Sequence, residues 1–491
     1  MNDFTSATTM KRLLQILTMV FLAGLAVVNL GAQELRHNAQ YPDDPAFVPV
    51  ADSLRGTILN GTFAESEIYP QTRREWQVYV PVQYDGVTPA CLLVGLDGIL
   101  FNATTVMDYL IARGEMPVTI GVFVQPGVSY DSDGNVLRYN RSNEFDRTDG
   151  TFARFLETEI LPMVEKMVTP DGRPVRLSHN PDDRAICGAS SSGIAAFTAA
   201  FFRPDLFHRV YSSVGTYVAM RGGNDYPAFV RKYEPKPIRI FLQDGMKDAW
   251  NPLFGEWWEQ NLLMESALDF AGYEEIAHWD RGGHSIWHGT RMFPDAMRWL
   301  WKGWPMPVKA GTSRNDMLQQ LLPEKPDSCG WSPVGPRDIA VAVREKLARP
   351  VAELLYPSGK LEISVEAQSN WLCSALVRPD GSRTAREQFY WLHNPDNHSL
   401  EGPIARDLAF DTLGNLYVLT PFGIQVCDQN GRVRAILNLP AVRETATAIC
   451  LWKNRIYINC GGAFYVRTLN EAIQGWNPAD GFINPKSQGQ G

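Results

Sequence analysis

The chain has 491 residues, too long for one ordinary domain, and its length alone suggests two or three. With 45% hydrophobic and 20% charged residues it carries enough apolar material to bury a core. A formal charge of −8 without any basic block argues against nucleic acid as a partner, because a phosphate-binding surface needs clustered Lys and Arg.

Lys11 and Arg12 precede an apolar run over residues 13–28, and the small residues Gly31 and Ala32 follow. This is the charged, apolar and small-residue order of a secretory signal peptide. A cleaved signal over residues 1–32 is expected, with a secreted or periplasmic product and no stable membrane insertion afterwards. The run contains Gln15 and Thr18 and is short for a spanning helix. Residues 33–56 read as an N-terminal extension.

Residues 57–309 alternate strand and helix patterns. Runs at 78–82, 91–96 and 118–124 are short, β-branched or apolar, and end at Pro or Gly. Residues 151–168 have helical periodicity, with Pro162 inside as a possible kink. A strand at 184–187, a helix at 191–202 and a strand at 209–213 follow. Then come a strand at 238–242, a helix near 257–270 and a last helix near 291–301. Such alternation predicts an α/β fold, a mostly parallel sheet covered by helices on both faces. Residues 310–349, rich in Pro, Gly, Ser and Asp, read as a linker. Beyond it, short strand-like runs at 361–365, 372–377, 416–419, 424–427 and 455–459 are separated by turn pairs such as Asp380-Gly381 and Asn430-Gly431. They predict an all-β domain over residues 350–475, such as propeller blades, and a disordered tail over 476–491.

The seven cysteines include no Cys-x-x-Cys pair, so no zinc site is indicated. Cys91 and Cys187 lie in apolar strand-like runs and read as buried small hydrophobes. Cys450 and Cys460 are a candidate bridge. No metal or other cofactor is expected.

The strongest chemical signal is Ile186-Cys187-Gly188-Ala189-Ser190-Ser191-Ser192-Gly193, which follows a strand and opens an apolar helix. That is the context of a nucleophile elbow, whose sharp turn tolerates only small flanking residues. Gly188 and Ser192 occupy those positions and make Ser190 the candidate nucleophile. The Ser191 amide at the helix start is then a candidate oxyanion donor. A serine needs a base, and His284 in Arg281-Gly282-Gly283-His284 is preferred, with His288 as its rival. The acid belongs between them, after a strand. Asp248 is favoured over Asp244, which could instead bond backbone amides in its turn. The order Ser, Asp, His is that of the α/β-hydrolases. The second oxyanion donor is expected from the backbone of Gly98 or Ile99, after the early strand.

Residues of about 57–309 resemble the esterases related to enterochelin esterase, esterase D and the feruloyl esterases. The resemblance rests on Tyr69-Pro70-x-Thr72-x-Arg74, Val78-Tyr79-Val80-Pro81 and Asp97-Gly98. It continues through Asn140-Arg141-Ser142-x-Glu144-Phe145-Asp146, Glu159-Ile160-Leu161-Pro162, Asp183-Arg184-Ala185-Ile186-Cys187-Gly188, Arg203-Pro204-Asp205-x-Phe207 and Gly282-Gly283-His284. It implies carboxylic-ester hydrolysis with Ser190, Asp248 and His284 at the triad positions. Ser192 departs from the family's usual Gly. The acyl group could be acetyl, feruloyl or siderophore-type, on a small-molecule or polysaccharide-linked ester.

The C-terminal region looks like a gluconolactonase/regucalcin-like β-propeller, on Asp407-x-Ala409-Phe410-Asp411-x-x-Gly414-Asn415-Leu416-Tyr417-Val418 and Gly423-Ile424-Gln425-Val426-Cys427-Asp428. It has about half a full propeller's length, and Arg406 stands where a metal-binding Asp of that family aligns, with Asp407 beside it. A metal-dependent sugar-lactone hydrolase and a non-catalytic carbohydrate-binding protein are therefore the alternatives to the esterase. An incomplete propeller exposes strand edges, which makes a homo-oligomer possible. Trp250, Trp257, Trp258 and Trp287 near the acid and base loops suggest a carbohydrate or phenolic substrate, against a plain packing role.

Overall fold

The computed structural model describes residues 43–323, 330–394, 404–440 and 445–485. The expected signal peptide lies outside the described residues. Among the described residues no helix is long and apolar enough to cross a membrane.

The N-terminal half is built on one eight-stranded sheet. Its strands are β1 (Thr57–Phe63), β2 (Arg74–Val80), β3 (Cys91–Leu96), β4 (Thr119–Val124), β5 (Arg184–Ala189), β6 (Arg209–Ser213), β7 (Arg239–Lys247) and β8 (Glu274–Gly283). They lie in the order β1-β2-β4-β3-β5-β6-β7-β8. β2 pairs antiparallel with β1 and β4, and all other neighbours pair parallel, so the sheet is mixed. Every residue of β3, β4 and β5 is buried, which is why these strands read as continuous apolar runs: parallel strands are covered on both faces. Alternate residues serve different cores. Leu92, Val94 and Leu96 join the larger core, which contains the helix α2 (Ser191–Phe202). Cys91 and Leu93 join the core on the other face, formed with α1 (Ala103–Ala112) and α5 (Ile286–Leu300).

The helical stretch from Thr151 ends at Val164 and widens into a π turn over Leu156–Ile160. Pro162 lies just beyond that turn. It has no N–H to return to the preceding turn, and the helix absorbs this by widening. The motif residues around it hold one another. Glu159 accepts from Ser66 and from the amides of Glu67 and Ile68. Arg74 makes a two-pronged ion pair with Glu144 at 2.5 and 3.0 Å, both side chains fully buried. Glu144 also accepts from Asn140 and the Gly127 amide. These residues read as family signals, and here their work is structural.

The second half contains three four-stranded antiparallel sheets. One comprises Glu353–Leu355, Leu361–Val365, Trp371–Val377 and Arg383–Trp391. The next comprises Asp407–Phe410, Leu416–Thr420, Gly423–Cys427 and Val433–Leu437. The third joins Ser332–Pro333, Ala463–Thr468, Arg455–Cys460 and Ala446–Trp452. The stretch read as a linker carries two helices. In α6 (Asp316–Leu321), Met317, Leu318 and Leu321 are buried among the β-sheets. In α7 (Val341–Leu347), Val343 and Leu347 cover Ala448 and Cys450. The start of the stretch read as a tail is tied down as well: the Trp476 amide donates to Phe410 and the Ile483 amide to Pro357. Cys91 and Cys187 are buried thiols. Cys450 and Cys460 are thiols too; in the strand register they stand opposite Tyr457 and Ala446, not each other.

The β half docks on the α/β half at the end of α3 (Tyr226–Lys232) and the chain after it. Tyr233 bridges to Ile436. Glu234 holds Arg467 by two bonds, at 2.8 and 2.6 Å, and accepts from the Asn438 amide. Lys232 Nζ donates to His393 Nε2 at 2.6 Å. Phe422 meets Phe202, the last residue of α2. Since α2 begins just after Ser190, this contact lies about 18 Å from the serine, at 1.5 Å per residue.

Candidate active site

β5 ends at Ala189 and α2 begins at Ser191, so Ser190 alone makes the turn between them. Its φ of 61° and ψ of −123° lie in a region that costs a non-glycine residue about 1–3 kcal/mol. The surroundings hold that strain. The Ser190 amide donates to the Ser213 carbonyl of β6, and the Ser190 carbonyl accepts from the amides of Gly193, Ile194 and Thr216. A Cβ on Gly188 would lie 2.3 Å from the Ser192 carbonyl oxygen, so only glycine fits there. Ser192, the departure from the usual pattern, ties the turn together: its Oγ accepts from the Ala189 amide at 2.8 Å and donates to the Ala189 carbonyl at 2.7 Å.

Ser190 Oγ lies 2.8 Å from His284 Nε2, and His284 Nδ1 lies 2.5 Å from Asp248 Oδ1. The imidazole is about one-third exposed and the Asp248 side chain is fully buried. His284 follows β8 directly. It enters the loop through Gly283, where a Cβ would come to 3.0 Å from the Lys247 carbonyl. Asp248 follows β7, and its Oδ1 also accepts from the Ala249 amide.

The two rivals go elsewhere. β7 runs on to Lys247, so Asp244 stays within the sheet, where its Oδ1 accepts from the Gly245 amide at 2.7 Å. His288 lies in α5 with Nδ1 3.7 Å from Asp280. Of the two candidates near the early strand, the Gly98 amide donates to the Val124 carbonyl at 3.3 Å. That bond occupies it and leaves Ile99 as the available donor. Ser191 is the first residue of α2, and the first amides of a helix have no partner within it.

Of two further neighbours of the serine, Thr216 carried no signal in the sequence and Trp257 was marked only as one of four candidate aromatic residues. Thr216 Oγ1 lies 3.3 Å from Ser190 Oγ and accepts from Trp257 Nε1 at 3.2 Å. The Trp257 ring meets the His284 ring edge-on at 5.8 Å. Both residues are buried, and Thr216 has an ordinary core identity that no spacing marks. The four tryptophans divide: Trp257 is buried and Trp258 stacks edge-on with Trp279, whereas Trp250 and Trp287 are 68% and 56% exposed.

In the β half, Asp407 is fully engaged. It accepts from Lys346 Nζ at 2.7 and 2.9 Å, and from the amides of Val351 and Ile449. Asp411 accepts from Leu413 and Asn415 within its own turn. Among the described residues no group of His, Cys, Asp or Glu is arranged to hold a metal.

The family model described as “Putative esterase” matches residues 68–261. This stretch is similar to that family. The match ends before His284 and covers less than half the chain, and it supports a carboxylic ester hydrolase. No curated protein matches the chain. Solved structures similar to it include a ferulic acid esterase at 18% identity, covering 50% of this chain and 98% of that one, with a TM-score of 0.37. The enterobactin esterase of Shigella flexneri is 19% identical, covers 53% of this chain and 63% of its own, and gives 0.41. The feruloyl esterase module from Clostridium thermocellum is 13% identical, covers 55% and 96%, and gives 0.38. At these values the likenesses carry no argument about substrate or site.

Proposed function

We propose that this protein is an exported serine esterase in which Ser190 is the nucleophile, His284 the general base and Asp248 the acid that orients it. The observation that carries the reading is the unbroken hydrogen-bond chain from Ser190 Oγ through both nitrogens of His284 to Asp248. His284 Nε2 takes the serine proton as Oγ attacks the ester carbonyl. Asp248 keeps the other nitrogen protonated and stabilises the imidazolium. The amides of Ser191 and Ile99 receive the oxyanion. His284 then gives its proton to the departing alcohol, and water clears the acyl-enzyme by the same route in reverse.

The substrate class is a carbohydrate- or phenolic-linked ester, with acetyl, feruloyl and siderophore-type acyl groups as the candidates. The exposed rings of Trp250 and Trp287, each close in sequence to a triad loop, support it. The three β-sheets are read as propeller-like blades that bind carbohydrate or pair with a second copy. Their docking at the far end of α2 keeps them away from the serine. A lactonase in this half lacks its carboxylate, because Asp407 already satisfies Lys346 and three amides. Export rests on the N-terminal pattern of Lys11, Arg12 and the apolar run after them.

The test is hydrolysis of p-nitrophenyl acetate and methyl ferulate by the purified protein and Ser190→Ala, with and without EDTA. Activity that is lost with the substitution and indifferent to EDTA supports the esterase. Activity that survives the substitution and falls with EDTA moves the chemistry to the second half.

A further inference from the structure

Asp244 stands four residues before Asp248, and no step of the proposed acyl transfer uses it. Its side chain is buried within the sheet. Oδ1 accepts from the Gly245 amide, but Oδ2 has no hydrogen-bond partner. The Oδ2 of Asp248, the oxygen that does not face His284, is buried and without a partner as well. The two carboxyl groups are within interacting reach of each other. Two buried carboxylates in contact cannot both ionise. A single proton between them converts two orphaned acceptors into a donor and its acceptor.

The surroundings decide which residue holds that proton. Asp248 faces His284 Nδ1 and accepts from the Ala249 amide, both through Oδ1. Asp244 has the Gly245 amide, inside β7. Burial, followed by the neighbouring Asp248, raises its pKa well above the usual carboxylate range. From α4 (Trp257–Ala271), Asn261 reaches Asp244 while its Nδ2 donates to the Gly215 and Trp257 carbonyls. The other titratable groups around the pair are His284, Glu256 ahead of α4, and the linked Asp280 and His288 of β8 and α5.

We propose that Asp244 is a positioning residue: a neutral carboxylic acid whose Oδ2–H donates to Asp248 Oδ2 and holds that carboxylate in the orientation His284 requires. The proposal rests on the reading of Asp248 as the triad acid. The proton stays on Asp244 throughout the reaction, and the pair carries one negative charge.

The experiment compares the full chain with Asp244→Asn, Asp244→Ala and Ser190→Ala, in p-nitrophenyl acetate kinetics and in thermal melts across pH. Asparagine supplies an N–H donor in place of the acid O–H, so Asp244→Asn is expected to keep kcat within about tenfold. Asp244→Ala frees the Asp248 carboxylate and is expected to lower kcat about a hundredfold with KM little changed. The melts carry an independent signature. A folded-state pKa raised above 3.8 means a stability contribution that is full below that value and lost as pH rises toward the folded pKa. Asp244→Asn should therefore gain on the wild type as pH rises above 3.8. If Asp244→Ala does not fold, the Asn variant and its pH-dependent melts decide the matter. Equal loss in Asp244→Asn and Asp244→Ala, or a melting difference that is flat with pH, overturns the proposal while an inactive Ser190→Ala leaves the triad reading standing. An active Ser190→Ala overturns both.

Discussion

Ser190 Oγ and His284 Nε2 stand 2.8 Å apart, although 94 residues separate them in the chain. Two parallel strands, β5 and β8, end at the same edge of the sheet and deliver them there, with β6 and β7 between. Ser190→Ala is therefore expected to lower kcat by several orders of magnitude, about 10⁴-fold or more, and to abolish labelling by a fluorophosphonate. The melting temperature should stay close to that of the wild type, because the hydroxyl contributes little beyond its contacts with His284 and Thr216.

Ser192 offers a test of the elbow itself. Its Oγ satisfies both the amide and the carbonyl of Ala189 inside a buried turn. Ser192→Ala leaves both backbone groups without that partner and should destabilise the protein by about 1–3 kcal/mol, read by denaturant unfolding. The rate should fall with it, since Ala189 directly precedes Ser190.

Gly188→Ala should be more severe. The new methyl group would sit 2.3 Å from the Ser192 carbonyl oxygen, and backbone cannot move there without displacing Ser190. Loss of esterase activity exceeding the loss of folded protein, measured by circular dichroism beside kinetics, is the expected result.

The junction between the halves has its own pH signature. Burial, and then the charge of Lys232, lowers the His393 pKa from 6.5 to about 3. A depressed folded-state value contributes stability above the unfolded pKa that is lost as pH falls through the folded one. Stability should thus decline between 6.5 and about 3, and His393→Gln should flatten that part of the acid limb in melts taken across pH.

Glu234→Ala tests the same junction by charge. Arg467 is almost fully buried and donates two hydrogen bonds to Glu234. Removing the partner leaves a buried guanidinium uncompensated, at a cost of about 3 kcal/mol. The expected outcome is a lower melting temperature with an unchanged KM for p-nitrophenyl acetate, since the junction lies at the far end of α2.

Much of the α/β half was legible because its signals are local. Burial on both faces leaves a continuous apolar run, so β3, β4 and β5 announced themselves within a residue or two of their ends. The strained turn demanded small neighbours, so Gly188-x-Ser190 stood out. The helices of the presumed linker were hidden: α6 and α7 are short, and their few apolar residues become meaningful only against the sheets they cover. Asp407 shows the same limit. Beside Arg406 it suggested a metal ligand, and Lys346, from a helix that was not expected, occupies it.

By itself, the sequence determined the alternation of strand and helix, the elbow around Ser190 and the chain order of serine, acid and histidine candidates. Each of these is set by neighbours within a few residues, through burial periodicity and turn sterics. Only the tertiary structure decided which rival meets which partner. β7 extends to Lys247, which keeps Asp244 in the sheet and carries Asp248 to His284; the Gly98 amide is taken by Val124, which leaves Ile99; Thr216 and Trp257 arrive beside the serine from other elements. Those choices depend on strand length, register and the packing of distant segments, where a shift of one residue reverses the direction of a side chain.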